Sequence, residues 1–195
     1  MNFSYFFELL CGGIVKGSIY ALIALGYTMV YGIIQLINFA HGEIYMVGAF
    51  VALIVAGMLT LSGYSGMTVL LLAAVGAAIY AAAYGYTLEK IAYRPLRNAP
   101  RLSPLISAIG ASIFLMNYVQ LAQTPDFLPF PELVPDLPFL EPIAQFVSAV
   151  DLVILIVTTL TMIALSVLIK YTKVGKAMRA TQQDMVMARL VGINV

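Results

Sequence analysis

From Gly17 to Ala40 the chain reads GSIYALIALGYTMVYGIIQLINFA, 24 residues without a single Asp, Glu, Lys, Arg or His. A span of the bilayer hydrocarbon takes about 20 consecutive apolar residues in a helix. Such a run has no place on a water-facing surface, and it is one of several. Runs at roughly 8–35, 42–62, 66–88, 102–123 and 152–169 share the character. Hydrophobic residues make up 62 % of the chain and charged residues 10 %. Soluble domains sit near about 45–50 % and about 25 %. The class that follows is an integral membrane protein.

Inside hydrocarbon every backbone amide must be bonded internally, which leaves helices or closed barrels. A barrel strand alternates in hydrophobicity over about ten residues, and no such alternation is visible. The fold class expected is all-α, a polytopic transmembrane bundle with about five spans in this chain. The spacing of small residues suits it. Gly13, Gly17 and Ala21 lie four apart, as do Gly48, Ala52 and Ala56, and Ala77, Ala81 and Gly85. Such ladders let helix backbones approach closely in lipid.

Cations set the orientation, because Lys and Arg concentrate in cytoplasmic loops. Lys90, Arg94, Arg97 and Arg101 fall in 89–101, and Lys170, Lys173, Lys176, Arg179 and Arg189 in the tail. Between Leu102 and Ile169 there is no Lys or Arg, only the acids Asp126, Glu132, Asp136, Glu141 and Asp151. The loop 89–101 and the tail are therefore expected in the cytoplasm, with 124–151 and the N-terminus outside. The single cysteine, Cys11, rules out a disulfide framework. ELLC at 8–11 faintly echoes a lipidation box, but no basic n-region precedes it, so a retained N-terminus is expected.

The outer segment carries six prolines between Pro125 and Pro142. Proline has no amide donor, so an irregular segment is expected, resting on the membrane through Phe127, Phe130 and Phe139. It reads either as a passive connector or as a docking surface.

The only histidine, His41, lies two residues from Glu43 in INFAHGEIY. A straight helix from Tyr5 to Ala40 would be about 54 Å long at roughly 1.5 Å per residue. The hydrocarbon is about 30 Å thick, so a break is expected, with Gly12-Gly13, Gly26 and Gly32 as candidates. A late break puts Asn38, His41 and Glu43 at an interfacial turn; an early one puts them at membrane depth, where charged groups face a pathway or a partner. A His-based metal site lacks a second ligand. No catalytic group, P-loop, HEXXH or GXSXG motif is present, so any energy for transport comes from a partner or an ion gradient. No cofactor and no nucleic-acid partner is expected. The tail 170–195 mixes apolar and charged residues in the manner of a short amphipathic helix. Such a helix rests on anionic lipid or docks in a partner's groove.

Three stretches resemble one family. GSIYALIALGYTMVYGIIQLINFAHGEIYMVGAF, AYRPLRNAPRLSPLISAIGASIFLMNYVQ and VGKAMRATQQDMVMARLVGINV are similar to the permease subunits (H-type) of branched-chain amino-acid ABC importers. The resemblance implies an inner-membrane importer with a second permease subunit, two cytoplasmic ATPases and a periplasmic binding protein, ATP being used by the partners. It implies that Gly175, Lys176, Arg179, Asp184, Ala188 and Gly192 lie in the element that contacts an ATPase. It places Asn38, His41 and Glu43 in the family's first motif without assigning a role. The same family handles urea and short amides, and a self-sufficient secondary transporter is a further alternative. Beyond Lys16 and the His41–Glu43 pair, the spans lack the charges that alternative needs. The family continues past this coupling segment, so a C-terminally truncated chain is expected.

Overall fold

The computed structural model describes residues 3–34, 37–96, 99–100, 102–126, 128–134 and 147–193. Among these, every regular element is helical. Five helical stretches are long and apolar enough to cross a membrane: Tyr5–Gly32, His41–Leu61, Met67–Leu96, Leu102–Ala122 and Ala149–Tyr171. The protein is an all-α, multi-pass membrane protein. The chain divides into two compact units, one from Met1–Gln35 with Asp136–Val195, the other Leu36–Pro135.

The first unit holds α1 (Phe3–Ile34), α5 (Ala149–Tyr171), α6 (Lys173–Gln183) and α7 (Met185–Leu190). The expected break falls late, between the end of α1 at Ile34 and the start of α2 at His41, and not at any candidate glycine. Helix α1 passes through Gly12-Gly13, Gly26 and Gly32 without interruption. A glycine inside a helix costs only about 1 kcal/mol relative to alanine, while each backbone group left unbonded in lipid costs several. Apolar surroundings therefore hold the helix together through its glycines. At 32 residues, α1 is about 48 Å long, so it must tilt or emerge from the bilayer.

Helix α5 opens with a capping box. The Ser148 hydroxyl accepts from Val150 N at 3.3 Å, and Ser148 N donates to Asp151 Oδ2 at 2.9 Å. It ends in a sharp corner at Thr172, whose backbone is extended (φ −84°, ψ 161°). The Thr172 hydroxyl donates to Leu168 O and accepts from Gly175 N, so one side chain closes α5 and opens α6.

The second unit holds α2 (His41–Leu61), α3 (Met67–Leu88) and α4 (Leu102–Ala122). A π-helical turn, Glu89–Tyr93, and a 3₁₀ turn, Arg94–Leu96, continue α3. Pro95 explains this ending, because it offers no amide to an earlier carbonyl and its ring crowds the one four residues back. Helix α4 tolerates Pro104 because the first amides of a helix have no partner to lose. Helices α2 and α3 form a hairpin turned on Gly63 (φ 88°) and Gly66 (φ 71°), both left-handed.

Two of the three small-residue ladders pack on each other in that hairpin. A Cβ on Gly48 would sit 3.6 Å from Ala81 Cβ and 3.9 Å from Ala77 O, and one on Gly85 3.9 Å from Ile44 Cδ1. The ladder on α1 differs: nothing lies within 4 Å of a Cβ on Gly13 or Gly17. The hairpin spacing carries a prediction. Gly48→Ala should be neutral, since 3.6 Å is ordinary contact. Gly48→Leu should cost about 1–3 kcal/mol by prying the helices apart, read as a lowered unfolding midpoint in detergent. Equal midpoints for the two variants would mean the helices are not that close.

Candidate functional site

Asn38 and Glu43 occupy the entry to α2, and each is held by another element. Asn38 Oδ1 accepts from Ala40 N at 3.0 Å and from the Tyr93 hydroxyl at 2.6 Å. Asn38 O accepts from His41 N at 3.2 Å. The asparagine thus makes a tight local turn and ties it to the π-helical turn after α3. Ala40, inside that turn, is fully buried. Glu43 Oε1 accepts from the Ser112 hydroxyl on α4 at 3.1 Å. Glu43 also lies in the first turn of α2, where unpaired amides and the helix dipole favour a negative charge. Ser107 Oγ donates to Ala92 O at 3.1 Å, binding α4 to the same π turn. The result is a polar seam joining α2, the end of α3 and α4 at one end of the unit.

Sequence reasoning found Asn38, His41 and Glu43 but missed Tyr93 and Ser112. They lie 55 and 69 residues from their partners, and nothing local marks them. The Arg94-Pro95 step beside Tyr93 is the one available hint, since it signals a helix ending. His41 is the first residue of α2. Among the described residues no group of three His, Cys, Asp or Glu is placed to hold a metal ion.

Two cavities flank α2. One, of about 300 Å³, is bordered by Phe50, Val119 and the tyrosines Tyr80, Tyr84 and Tyr118. The other, of about 480 Å³, is bordered by Phe50 and Val119 as well and by Gln120, Asp126, Leu128 and Phe130. The second roof comes from the proline-rich segment, which does not simply lie on a surface. Leu133 is buried against Ala56, Val69 and Ala73 at the closed end of the α2–α3 hairpin. Phe127 and Phe139 lie outside the described residues.

The six tail residues divide by role. The expected single amphipathic helix is two, α6 and α7, because Asp184 takes an extended backbone and caps the second. Its carboxylate accepts from Val186 N at 2.8 Å and Met187 N at 3.0 Å. Gly175 is buried, and a Cβ there would land on the carbonyls of Leu168 and Ile169. Arg179 Nη2 donates to Lys170 O at 3.2 Å, on the electronegative end of α5. Ala188 is buried and Gly192 has a left-handed φ of 85°. Gly175 and Arg179 shape the α5–α6 corner and Asp184, Ala188 and Gly192 belong to α7 and its ends, while Lys176, exposed like Arg179 and Asp184, makes no such bond among the described residues. The surface they present was not singled out: Val186, Met187, Leu190 and Val191 are 60–75 % exposed.

The family of the branched-chain amino acid transport system / permease component matches residues 9–195. The chain belongs to this family. Among its relatives is the high-affinity branched-chain amino acid transport system permease protein LivH of Salmonella typhimurium, 46 % identical over 197 residues. LivH of Escherichia coli K12 is 45 % identical over the same length. Both matches cover 99 % of this chain and 64 % of the relative. The corresponding protein BraD of Pseudomonas aeruginosa is 45 % identical, covering 97 % of this chain and 63 % of its own length. The chain thus spans somewhat less than two thirds of the relatives it matches. No solved structure matches significantly. Within the family, the polar seam and the α6–α7 corner both fall in the matched residues.

Proposed function

We propose that this chain forms the first part of a permease subunit of an ABC importer for branched-chain amino acids. The observation that carries the reading is 46 % identity across 99 % of the chain to a permease named for that transport. The relatives found all bear branched-chain amino-acid names, which favours that substrate class over urea or short amides. The location is the cell inner membrane. The basic turn after α3 and the tail face the cytoplasm, and the closed end of the α2–α3 hairpin faces out. ATP is hydrolysed by separate subunits, a binding protein delivers the substrate, and a second permease subunit completes the pathway. No cofactor is held by this chain.

In this reading the α6–α7 corner presents a surface to a cytoplasmic ATPase. Arg179 and Asp184 brace the two ends of α6 through bonds within the chain, so the contact itself belongs to the exposed Val186, Met187 and Leu190. An apolar helical face of this kind suits a groove on a partner. The polar seam at Asn38–Glu43 acts as a latch at the cytoplasmic end, since its hydrogen bonds are few, half-buried and reversible. The test is the full permease in proteoliposomes with its ATPases and binding protein. ATP-dependent leucine uptake is expected, and Val186→Asp with Leu190→Asp should abolish ATPase co-purification while the permease still inserts. Uptake of urea but not leucine would overturn the substrate. Unchanged co-purification would overturn the docking surface.

A further inference from the structure

The two long helices of the hairpin mark the bilayer. Helix α2 has 21 residues, about 31 Å, which matches a hydrocarbon of about 30 Å. Beyond its His41 end lie Glu89, Lys90 and Arg94. At the hairpin end Met58, Leu61, Met67 and Leu71 are exposed. Those large apolar groups belong in lipid, so the hairpin end of α2 lies within the outer leaflet.

Helix α4, also 21 residues long, runs parallel to α2 but is shifted toward the His41 end, so at the hairpin end it stops short. The Glu43–Ser112 bond sets the register, and Phe50 and Val119, seven residues on in each helix, border the same cavity. From there α2 continues to Leu61, whereas α4 ends at Ala122. The shortfall is eight residues, about 12 Å. Residues 123–126 and 128–134 fill it with irregular backbone, and Leu133 packs on the hairpin end. Irregular backbone at membrane depth is tolerated only where protein covers it or where it lines a water-filled cavity. Prolines 125, 129 and 131 ease the cost by removing three amide donors. The carbonyls still need partners. Asp126 adds a carboxylate at this depth, exposed and bonded to Thr124: the Thr124 hydroxyl donates to Asp126 Oδ2 at 3.2 Å, and Asp126 N donates to Thr124 Oγ1 at 3.1 Å. An acid in such a place marks a pathway.

We infer that the cavity of about 480 Å³ under this segment is an outward-opening vestibule that binds the transported amino acid. The inference rests on the importer reading above and deepens it. The carboxylate of Asp126 takes the ligand's ammonium group. The C-terminal end of α4, which carries unpaired carbonyls and the negative end of its dipole, lies beside it and favours the same charge. Phe50, Leu53, Leu128 and Phe130 receive a branched aliphatic side chain. A size of this order, mostly apolar walls and a few convergent polar groups are what small-molecule sites share. The ligand class is therefore an α-amino acid with an apolar side chain, not an acidic or basic one.

The assembled importer, with Cys11 replaced by serine, tests this. Cysteine at Thr124 should react with a membrane-impermeant thiol reagent from the outer face, and saturating leucine should slow that reaction while glutamate does not. Separately, Asp126→Asn should raise the KM for leucine about tenfold, the loss of one charge-assisted hydrogen bond, with ATPase assembly unchanged and Asp126→Glu restoring most of the affinity. Labelling by lipid-soluble reagents alone would put the segment in lipid and overturn the vestibule. Leucine uptake with an unaltered KM in Asp126→Asn, and labelling indifferent to leucine, would overturn the binding site while leaving the importer reading intact. Absence of leucine uptake in the unmutated importer, with another amino acid protecting the cysteine, would overturn the branched-chain assignment instead.

Discussion

In the proposed importer, Gly175→Val should eliminate uptake and strip most of the permease from its complex with the ATPases, while Lys176→Ala, one residue on, leaves both near normal. The difference lies in what each side chain meets. A Cβ at position 175 falls on the backbone carbonyls of Leu168 and Ile169, and backbone cannot rotate away as a side chain can. Core overpacking costs about 1–3 kcal/mol and more where nothing yields. Here relief would mean opening the α5–α6 corner. Opening it also separates Gly175 N from the Thr172 hydroxyl and Arg179 from Lys170 O. Even Gly175→Ala should lower the yield of complex. Lys176 points to solvent, so its removal tests charge without touching the corner. A Gly175→Val permease that assembles and transports normally would show that the corner is wider in the working importer.

The second large effect is expected at Asn38. Its side-chain oxygen accepts two hydrogen bonds, one closing the turn before α2 and one from Tyr93. Asn38→Ala leaves both donors without their acceptor in a half-buried setting, worth about 2–3 kcal/mol at about 1 kcal/mol or more per group. Tyr93→Phe removes only the longer-range bond, about 1 kcal/mol. The two changes act on one interaction, so their combined cost should fall short of the sum by about 1 kcal/mol. Unfolding midpoints in detergent give the cycle, and leucine uptake shows whether the latch matters for transport. Strict additivity would mean that Tyr93 and Asn38 do not meet.

Much of this was legible beforehand, and unevenly. The five long apolar stretches follow from composition and run length, because lipid leaves the backbone almost no alternative to helix. The small-residue ladders on α2 and α3 anticipated a close hairpin. The glycines of α1 misled, since glycine weakens a helix in water more than it breaks one in lipid. Asn38 and Glu43 stood out as polar groups in an apolar run, but Tyr93 and Ser112 did not. A tyrosine before Arg-Pro and a serine in an apolar helix are ordinary when read in line. The tail's charges drew attention to Arg179 and Asp184, which stay exposed but spend their polar atoms on the backbone, bracing the end of α5 and capping α7.

The sequence by itself determined the solvent, the secondary structure and the family, because hydrophobic run length, charge placement and extended motifs are properties of contiguous residues. Tertiary structure alone decided which polar groups pair, how far α4 falls short of α2 and where Leu133 packs. Those are matters of axial register between helices. A hydrogen bond between residues 69 positions apart sets that register, and no local pattern encodes it.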